Sequence, residues 1–179
     1  MTRRKRAPSM AHGVIRMPGR VCGVVTLVWA LAGCGVFQSP ASLPDGSSID
    51  VARASFGGPG AEHALPGGAT RLEYRRGRDT YMLDFDAAGR FVGSRQVLNL
   101  PTFATIRPGM SEEDVLTRIG HPAFVFPVGW QQLRVWNYRF GGLEGDCFVF
   151  QVSIGNATHR VTETGQGADP ACSADSGRS

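Results

Sequence analysis

The side chains that could carry out acid–base or nucleophilic chemistry are few and scattered. The four histidines lie far apart along the chain, at His12, His63, His121 and His159. His121 stands at a predicted helix stop, where we expect it to face water. Asp84 and Asp86 fall on one face of a predicted strand, where paired carboxylates could do acid–base work, but a solvated strand face is the simpler interpretation. Neither a nucleophile elbow nor a Gly-rich phosphate loop occurs. We therefore predict no catalytic, cofactor-binding or metal-binding residue and no enzyme activity.

The residue with the best-defined chemistry is Cys34, which directly follows Leu-Ala-Gly at the end of an apolar stretch. A basic segment, a short apolar segment and small residues are typical of a secretory signal peptide. With the cysteine, they resemble the bacterial lipobox. That resemblance implies a signal peptide over residues 1–33 and lipidation of Cys34 by acyl chains such as palmitate. The alternatives are an ordinary signal peptide or a transmembrane anchor, but the apolar run is about 13 residues and a spanning helix needs roughly 20.

Removal of the signal peptide changes the charge of the chain. The whole chain has a formal net charge of +4, but residues 1–33 hold six of its 19 basic residues and none of its 15 acidic residues. The remainder carries 13 basic and 15 acidic residues, a net charge of −2. No basic surface wide enough to neutralise a row of phosphates is visible, so we predict no nucleic-acid binding.

Two cysteines remain after the predicted signal peptide and Cys34 are set aside. Cys147 and Cys172 form an even pair in a chain that we expect to be exported to an oxidising compartment. A disulfide between them would close a loop of 26 residues. In the chain-entropy model, such a loop stabilises the fold by roughly 3 kcal/mol. The alternative is two free thiols.

The second half of the chain has the clearest pattern, a helix followed by three strands. Ser111 is a candidate N-cap with Asp114 at the capping-box position, and Gly120 followed by Pro122 ends the helix. Alternating apolar residues predict strands over residues 133–140, 146–152 and 157–163. A looser copy precedes it, with a helix over residues 48–56 and strands over residues 70–75, 80–85 and 91–97.

These patterns predict a two-layer α+β fold, in which short helices pack on antiparallel three-stranded sheets in two tandem repeats. The first unit would span residues 48–98 and the second residues 103–165. A Gly/Pro/Ser-rich tether over residues 34–47 would join the lipid to the fold, and residues 166–179 would form a tail.

Aromatic residues crowd the loop between the predicted helix and strands of the second unit. Phe124, Phe126, Val128 and Trp130 alternate along a segment that two prolines stiffen. Alternation would place all four on one side of an extended segment. Either they pack under the sheet, or Phe124, Phe126 and Trp130 form an exposed contact for another protein or for lipid. Trp136 and Tyr138, on the next strand, are expected in the core.

The second unit also carries a family resemblance. The run from Ile106 to Pro122, which reads Ile-Arg-Pro-Gly-Met-Ser and ends Ile-Gly-His-Pro, together with Trp136 and Tyr138, resembles the BamE (SmpA/OmlA) family of small outer-membrane lipoproteins. The resemblance implies a lipoprotein anchored on the periplasmic face of the outer membrane. It would act without catalysis, supporting outer-membrane protein assembly or envelope integrity by binding the β-barrel assembly machinery or another envelope protein.

A second interpretation follows from the tandem arrangement. Two such units also resemble secreted proteinaceous inhibitors of β-lactamase, which grip an enzyme with a sheet face and loops. The alternative function is therefore a lipid-anchored protein inhibitor or ligand-binding module. An inhibitor would present a dense aromatic and polar sheet face, whereas an assembly factor would need only a local patch.

Overall fold

Two four-stranded antiparallel sheets and three short helices form an α+β fold in a computed structural model that describes residues 39–141 and 147–169. The helices are α1 (Ile49–Phe56), α2 (Leu100–Phe103) and α3 (Glu112–Ile119). The first sheet contains β1 (Ala61–Ala64), β2 (Thr70–Arg76), β3 (Asp79–Phe85) and β4 (Phe91–Gln96), and the second contains β5 (Phe124–Val128), β6 (Leu133–Gly141), β7 (Cys147–Gly155) and β8 (Val161–Ala168). The predicted signal peptide, Cys34 and Cys172 lie outside the described residues.

Each sheet has four strands, in sequence order, rather than the predicted three. The additional strands are β1 and β5, and both lie at a sheet edge. β1 is only four residues long, and β5 contains Pro127, which pairs with Arg134. Proline cannot donate to a strand ladder, so its presence indicated a loop, but an edge strand tolerates it because one of its sides forms no ladder.

The helix that the sequence predicts most clearly is closed by the predicted cap. The Ser111 hydroxyl accepts a hydrogen bond from the Asp114 amide at 3.1 Å, and the Asp114 carboxylate accepts one from the Ser111 amide at 3.1 Å. This reciprocal pair satisfies two amides that the first turn of a helix leaves without partners. α1 begins with the simpler cap, in which the Ser48 hydroxyl accepts from the Val51 amide at 3.3 Å.

The apolar residues form two cores. The first core lies between α1 and one face of the first sheet and contains Leu43, Ala52, Leu72, Tyr74, Leu83, Phe85 and Phe91. The second core gathers the inner face of the second sheet with α2 and α3 and includes Phe103, Val115, Ile119, Trp136, Tyr138, Phe140, Phe150 and Val152. The expected burial of Trp136 and Tyr138 is confirmed. Met82, from β3 in the first sheet, also belongs to the second core.

Three predicted segments differ from the structure. Leu43 belongs to the first core and the Gly46 amide donates to the Phe91 carbonyl at 2.9 Å, so the described end of the predicted tether packs on the first sheet. β8 begins at Val161 rather than at residue 157, because the chain turns there and His159 has a φ of 52°. The same strand continues through Ala168, into the segment predicted to be a tail. Within the described part of the chain, no helix has the length and apolar character to cross a membrane.

Candidate functional site

The predicted partner-contact residues lie on an exposed sheet edge. Phe124, Val125 and Phe126 in β5 are 41%, 47% and 40% exposed, and Trp130 in the following turn is 84% exposed. We call Phe124, Phe126 and Trp130 the β5 surface. Val125 is left out because it pairs with Trp136 and so lies on the other face of the sheet. The sequence left open whether the aromatic residues pack under the sheet or are exposed. Their side chains are exposed in the structure. Large apolar side chains grouped in this way are typical of a binding surface.

The second sheet holds part of the β5 surface in place. Phe124 pairs with Asn137 and Phe126 with Val135, so both phenylalanines point to the face of the sheet opposite the second core. The Arg139 guanidinium carbon lies 5.1 Å from the centre of the Phe124 ring, and Arg139 also lies 2.9 Å from the buried Asp169 carboxylate. A cation over an aromatic face is attracted to the ring, so Phe124 is oriented before any partner binds.

The two predicted cysteine sites are placed only in part. Cys147 begins β7, whereas Cys34 and Cys172 lie outside the described residues. Lipidation of Cys34 and the pairing of Cys147 with Cys172 therefore stay predictions.

A second cluster of chemistry-bearing residues was not predicted. His63 of β1, Glu73 of β2 and His121 after α3 meet around one carboxylate oxygen. Glu73 Oε2 lies 3.3 Å from His63 Nε2 and 2.9 Å from His121 Nδ1. The two imidazole rings are stacked with their centres 6.1 Å apart. The side chains of Glu73 and His63 are only 4% and 10% exposed, whereas that of His121 is 50% exposed. His121 thus faces water on one side only.

The end of α3 is built to receive the Glu73 carboxylate. Gly120 caps the helix with φ 77° and ψ −168°, a conformation that glycine adopts and other residues rarely do. A Cβ at this position would lie 2.8 Å from the Glu73 carboxylate, so only glycine lets it approach. The next amide, that of His121, donates to Glu73 Oε1 at 2.9 Å. Tyr138 secures the same turn, because its hydroxyl donates to the Gly120 carbonyl at 3.0 Å.

Charged side chains of the first sheet surround the cluster and are themselves partnered. Arg71 donates to both Asp84 carboxylate oxygens, at 2.5 and 3.0 Å, and to the Thr117 carbonyl at 2.7 Å. Burial acts to raise the pKa of Asp84, but the hydrogen bonds from Arg71 and Arg95 outweigh it, and the pKa is lower than the ordinary value. Arg75 donates to the His121 and Pro122 carbonyls.

Burial raises the pKa of Tyr138 well above its ordinary value, so its hydroxyl remains a donor.

Sequence reasoning could not find this cluster. Glu73 lies 10 residues from His63 and 48 residues from His121 along the chain. Neither separation is a metal-ligand spacing that a local motif uses. They meet because Ala61 pairs with Glu73 and His63 with Arg71, which puts His63 and Glu73 on the same face of the first sheet. The packing of α3 on that face then adds His121.

The chain matches no protein-family model and no curated protein. Similar solved structures include a cysteine-rich secretory protein from Staphylococcus aureus (14% identity, TM-score 0.27, covering 73% of this chain and 46% of that one). A DUF4309 family protein from Bacillus subtilis is 16% identical with a TM-score of 0.26, covering 69% of this chain and 79% of that one. An extracellular protein containing an SCP domain, from Bacillus anthracis, is 11% identical with a TM-score of 0.27, covering 72% of this chain and 45% of that one.

The chain therefore spans less than half the length of two of these three structures. None of the three is described as a member of the BamE family. At these TM-scores, none of them identifies a family for this chain.

Proposed function

We propose that this chain is a lipoprotein of the outer membrane that binds another envelope protein through the β5 surface. The observation that carries the proposal is the exposure of Phe124 and Phe126 on the edge strand β5 and of Trp130 in the turn that follows it. Burying an exposed side chain of this size contributes about 1.5–3 kcal/mol. Tryptophan is also among the residues that most often dominate binding energy at protein interfaces.

The proposed anchoring rests on Cys34 and its sequence context. A diacylglycerol on the thiol and an acylated N-terminus would supply several acyl chains, and more than one chain makes membrane attachment durable. Such an anchor would hold the β5 surface beside membrane-associated partners. Gly35, which follows the cysteine, resembles the residue found in lipoproteins sorted to the outer membrane.

A recurring local arrangement supports the proposed tandem BamE-like units, and the role in outer-membrane protein assembly is inferred from that resemblance. Gly57 ends α1 with φ 81° and ψ −172°, and its carbonyl accepts from the Tyr74 hydroxyl at 3.0 Å. Gly120 ends α3 with nearly the same angles and accepts from Tyr138 at the same distance. In each half, a helix is followed by four antiparallel strands. On this proposal the protein has no catalytic activity and assists the assembly machinery by binding.

The binding proposal is tested by capture of the tagged full chain from native envelopes in mild detergent. The wild-type chain is compared with a Phe126→Ser, Trp130→Ser double variant and with a Val92→Ser control. Val92 is 63% exposed on β4 of the first sheet, so the control removes an apolar side chain outside the β5 surface. We expect one envelope protein to be retained by the wild type and the control and lost by the double variant. Equal retention by all three would reject the β5 surface as the binding site.

The identity of the captured protein separates the two functions. Enrichment of the β-barrel assembly machinery supports the assembly role. Enrichment of a single enzyme whose activity falls in the complex supports the inhibitor alternative.

The anchoring proposal has its own test. We expect fatty-acid label to enter the wild-type chain in cells and to be absent from a Cys34→Ser variant of equal abundance. Label that persists in the variant would contradict lipidation at Cys34.

A further inference from the structure

We propose that His63, Glu73 and His121 bind a divalent transition-metal ion, with Zn²⁺ the best match. Two imidazole nitrogens and one carboxylate oxygen are a ligand set that zinc accepts in proteins. Without a metal the same three groups form a hydrogen-bonded cluster. The orientation of the carboxylate and the access from solvent are the features that would let an ion bind between them.

The ligand atoms are close to the separations that a metal centre requires. Zinc binds nitrogen and oxygen ligands at about 2.0–2.2 Å, so two ligands at a tetrahedral angle lie roughly 3.4 Å apart. His63 Nε2 and His121 Nδ1 lie 3.3 and 2.9 Å from Glu73 Oε2, and all three ligand atoms are within 4.8 Å of one another. Small side-chain rotations would therefore be enough to admit the ion.

The carboxylate is oriented by a backbone hydrogen bond. The His121 amide donates to Glu73 Oε1 at 2.9 Å, which directs the other oxygen, Oε2, to the two histidines. Hydrogen bonds of this kind fix the direction of metal ligands and commonly change metal affinity by 10- to 100-fold. The orientation also depends on Gly120, because a Cβ at that position would lie against the Glu73 carboxylate.

The neighbouring positive charges are turned to other partners. Arg71 and Arg75 share the Glu73 face of β2 and would repel a cation if their guanidiniums pointed to it. Arg71 instead pairs with Asp84, and Arg75 donates to the carbonyls of His121 and Pro122. The ion would thus meet a buried carboxylate oxygen that both histidine rings contact.

The site is reachable from solvent on its His121 side. That ring is half exposed and borders a cleft of about 210 Å³. Three protein ligands leave a fourth position for water, and the bound ion would tie β1 and β2 of the first sheet to the segment between α3 and β5.

The test is Zn²⁺ binding by the purified full chain in detergent, measured by isothermal titration calorimetry after chelator treatment. The variants are His63→Ala and His121→Ala, with His159→Ala as the control. His159 lies 2.9 Å from Glu112 on the surface, outside the cluster, so the control removes a histidine that also contacts a glutamate. We expect one high-affinity Zn²⁺ per chain in the wild type and the control, and an affinity roughly tenfold or more weaker in each cluster variant.

Two further readouts keep the result independent of folding and of the proposed function. Circular dichroism identifies any variant that fails to fold, and His121→Ala, which removes a half-exposed ring, is the variant least prone to this. Co²⁺ in place of Zn²⁺ should give the visible absorption of a four-coordinate site in the wild type and lose it in His121→Ala. Absence of Zn²⁺ binding by the wild type would overturn the proposal, and so would cluster variants that bind Zn²⁺ as tightly as the wild type does. Neither outcome bears on the β5 surface.

Discussion

At the residue scale, one buried carboxylate connects two elements of the fold. Glu73 is 3% exposed and contacts the imidazoles of His63 and His121 and the His121 amide. A buried charge is costly unless it is paired and hydrogen-bonded, and these contacts satisfy it. The consequence is a polar connection between the first sheet and the end of α3.

A comparison of two glycines tests how closely this connection is fitted. Gly57 and Gly120 both end helices with φ near 80° and extended ψ, but only at Gly120 does an added Cβ meet the Glu73 carboxylate. Gly57→Ala should cost only the backbone strain, about 1–3 kcal/mol. Gly120→Ala should cost about 1–3 kcal/mol more, because the charged hydrogen bonds must also shift. Urea unfolding of both variants measures the difference, and equal losses would mean that the Glu73 contact does not depend on Gly120.

Asp84 should make the free energy of unfolding depend on pH in the acidic range. Its pKa is lowered by Arg71 and Arg95 against the effect of burial, so its contribution to folding is present above its ordinary pKa of 3.8 and is lost as the pH falls through the lower folded-state pKa. Asp84→Asn should therefore destabilise the chain by about 1–3 kcal/mol at pH 7 and by much less at pH 2.

Urea unfolding at the two pH values checks this expectation. The exposed Asp45, changed to Asn, is the matched control and should leave stability nearly unchanged at both. An Asp84→Asn loss of the same size at pH 2 as at pH 7 would show that its charge is not responsible.

At the element scale, β5 is an edge strand that combines a proline with exposed apolar side chains. It pairs only with β6, contains a proline and exposes four of its five residues. Edge strands with exposed apolar side chains invite association, and natural proteins usually protect them. Pro127 limits ladder formation, whereas the neighbouring aromatic side chains remain available. The element therefore fits side-chain recognition better than strand addition.

Two tryptophans test this description of the second sheet. Trp136 is 6% exposed in the second core and Trp130 is 84% exposed after β5. Trp136→Ala should destabilise the fold by about 3–5 kcal/mol, because it leaves a large cavity. Trp130→Ala should change stability by less than about 0.5 kcal/mol. Thermal and urea unfolding of the two variants measure the contrast, and a large loss for Trp130→Ala would mean that this side chain packs on the fold.

At the scale of the whole molecule, the two sheets share packing as well as polar contacts. Met82 of β3 and Val97 and Leu98 after β4 belong to the second core, together with Val115 and Ile119 of α3. α3 thus contributes apolar residues to the second core while the segment at its end bonds to Glu73 of the first sheet. We expect the described residues to unfold as one cooperative unit.

Met82→Ala tests that coupling. The side chain is fully buried, so its removal should cost about 2–5 kcal/mol. Val92→Ala, on the exposed surface of β4 in the same sheet, should cost less than about 0.5 kcal/mol. Met82→Ala should lower the unfolding midpoints of near-ultraviolet circular dichroism and tryptophan fluorescence together. Separate midpoints for the two signals would contradict a single unit.

Local patterns were sufficient to predict α3, its capping box and strands β2, β3 and β4 of the first half. A cap needs residues three positions apart, and a strand needs alternation over a few residues, so both can be recognised in a short window. The lipobox at Cys34 is also a local pattern, and its lipidation stays a prediction.

Tertiary structure decided the features that depend on distant residues. The pairing of β1 with β2 and the packing of α3 brought His63, Glu73 and His121 together, and no local pattern relates them. The same holds for the β5 surface, because alternation predicts which residues share a face but not whether another element covers it. Exposure, cross-sheet packing and ligand geometry are set by contacts between elements, and in this protein those contacts carry both proposed binding sites.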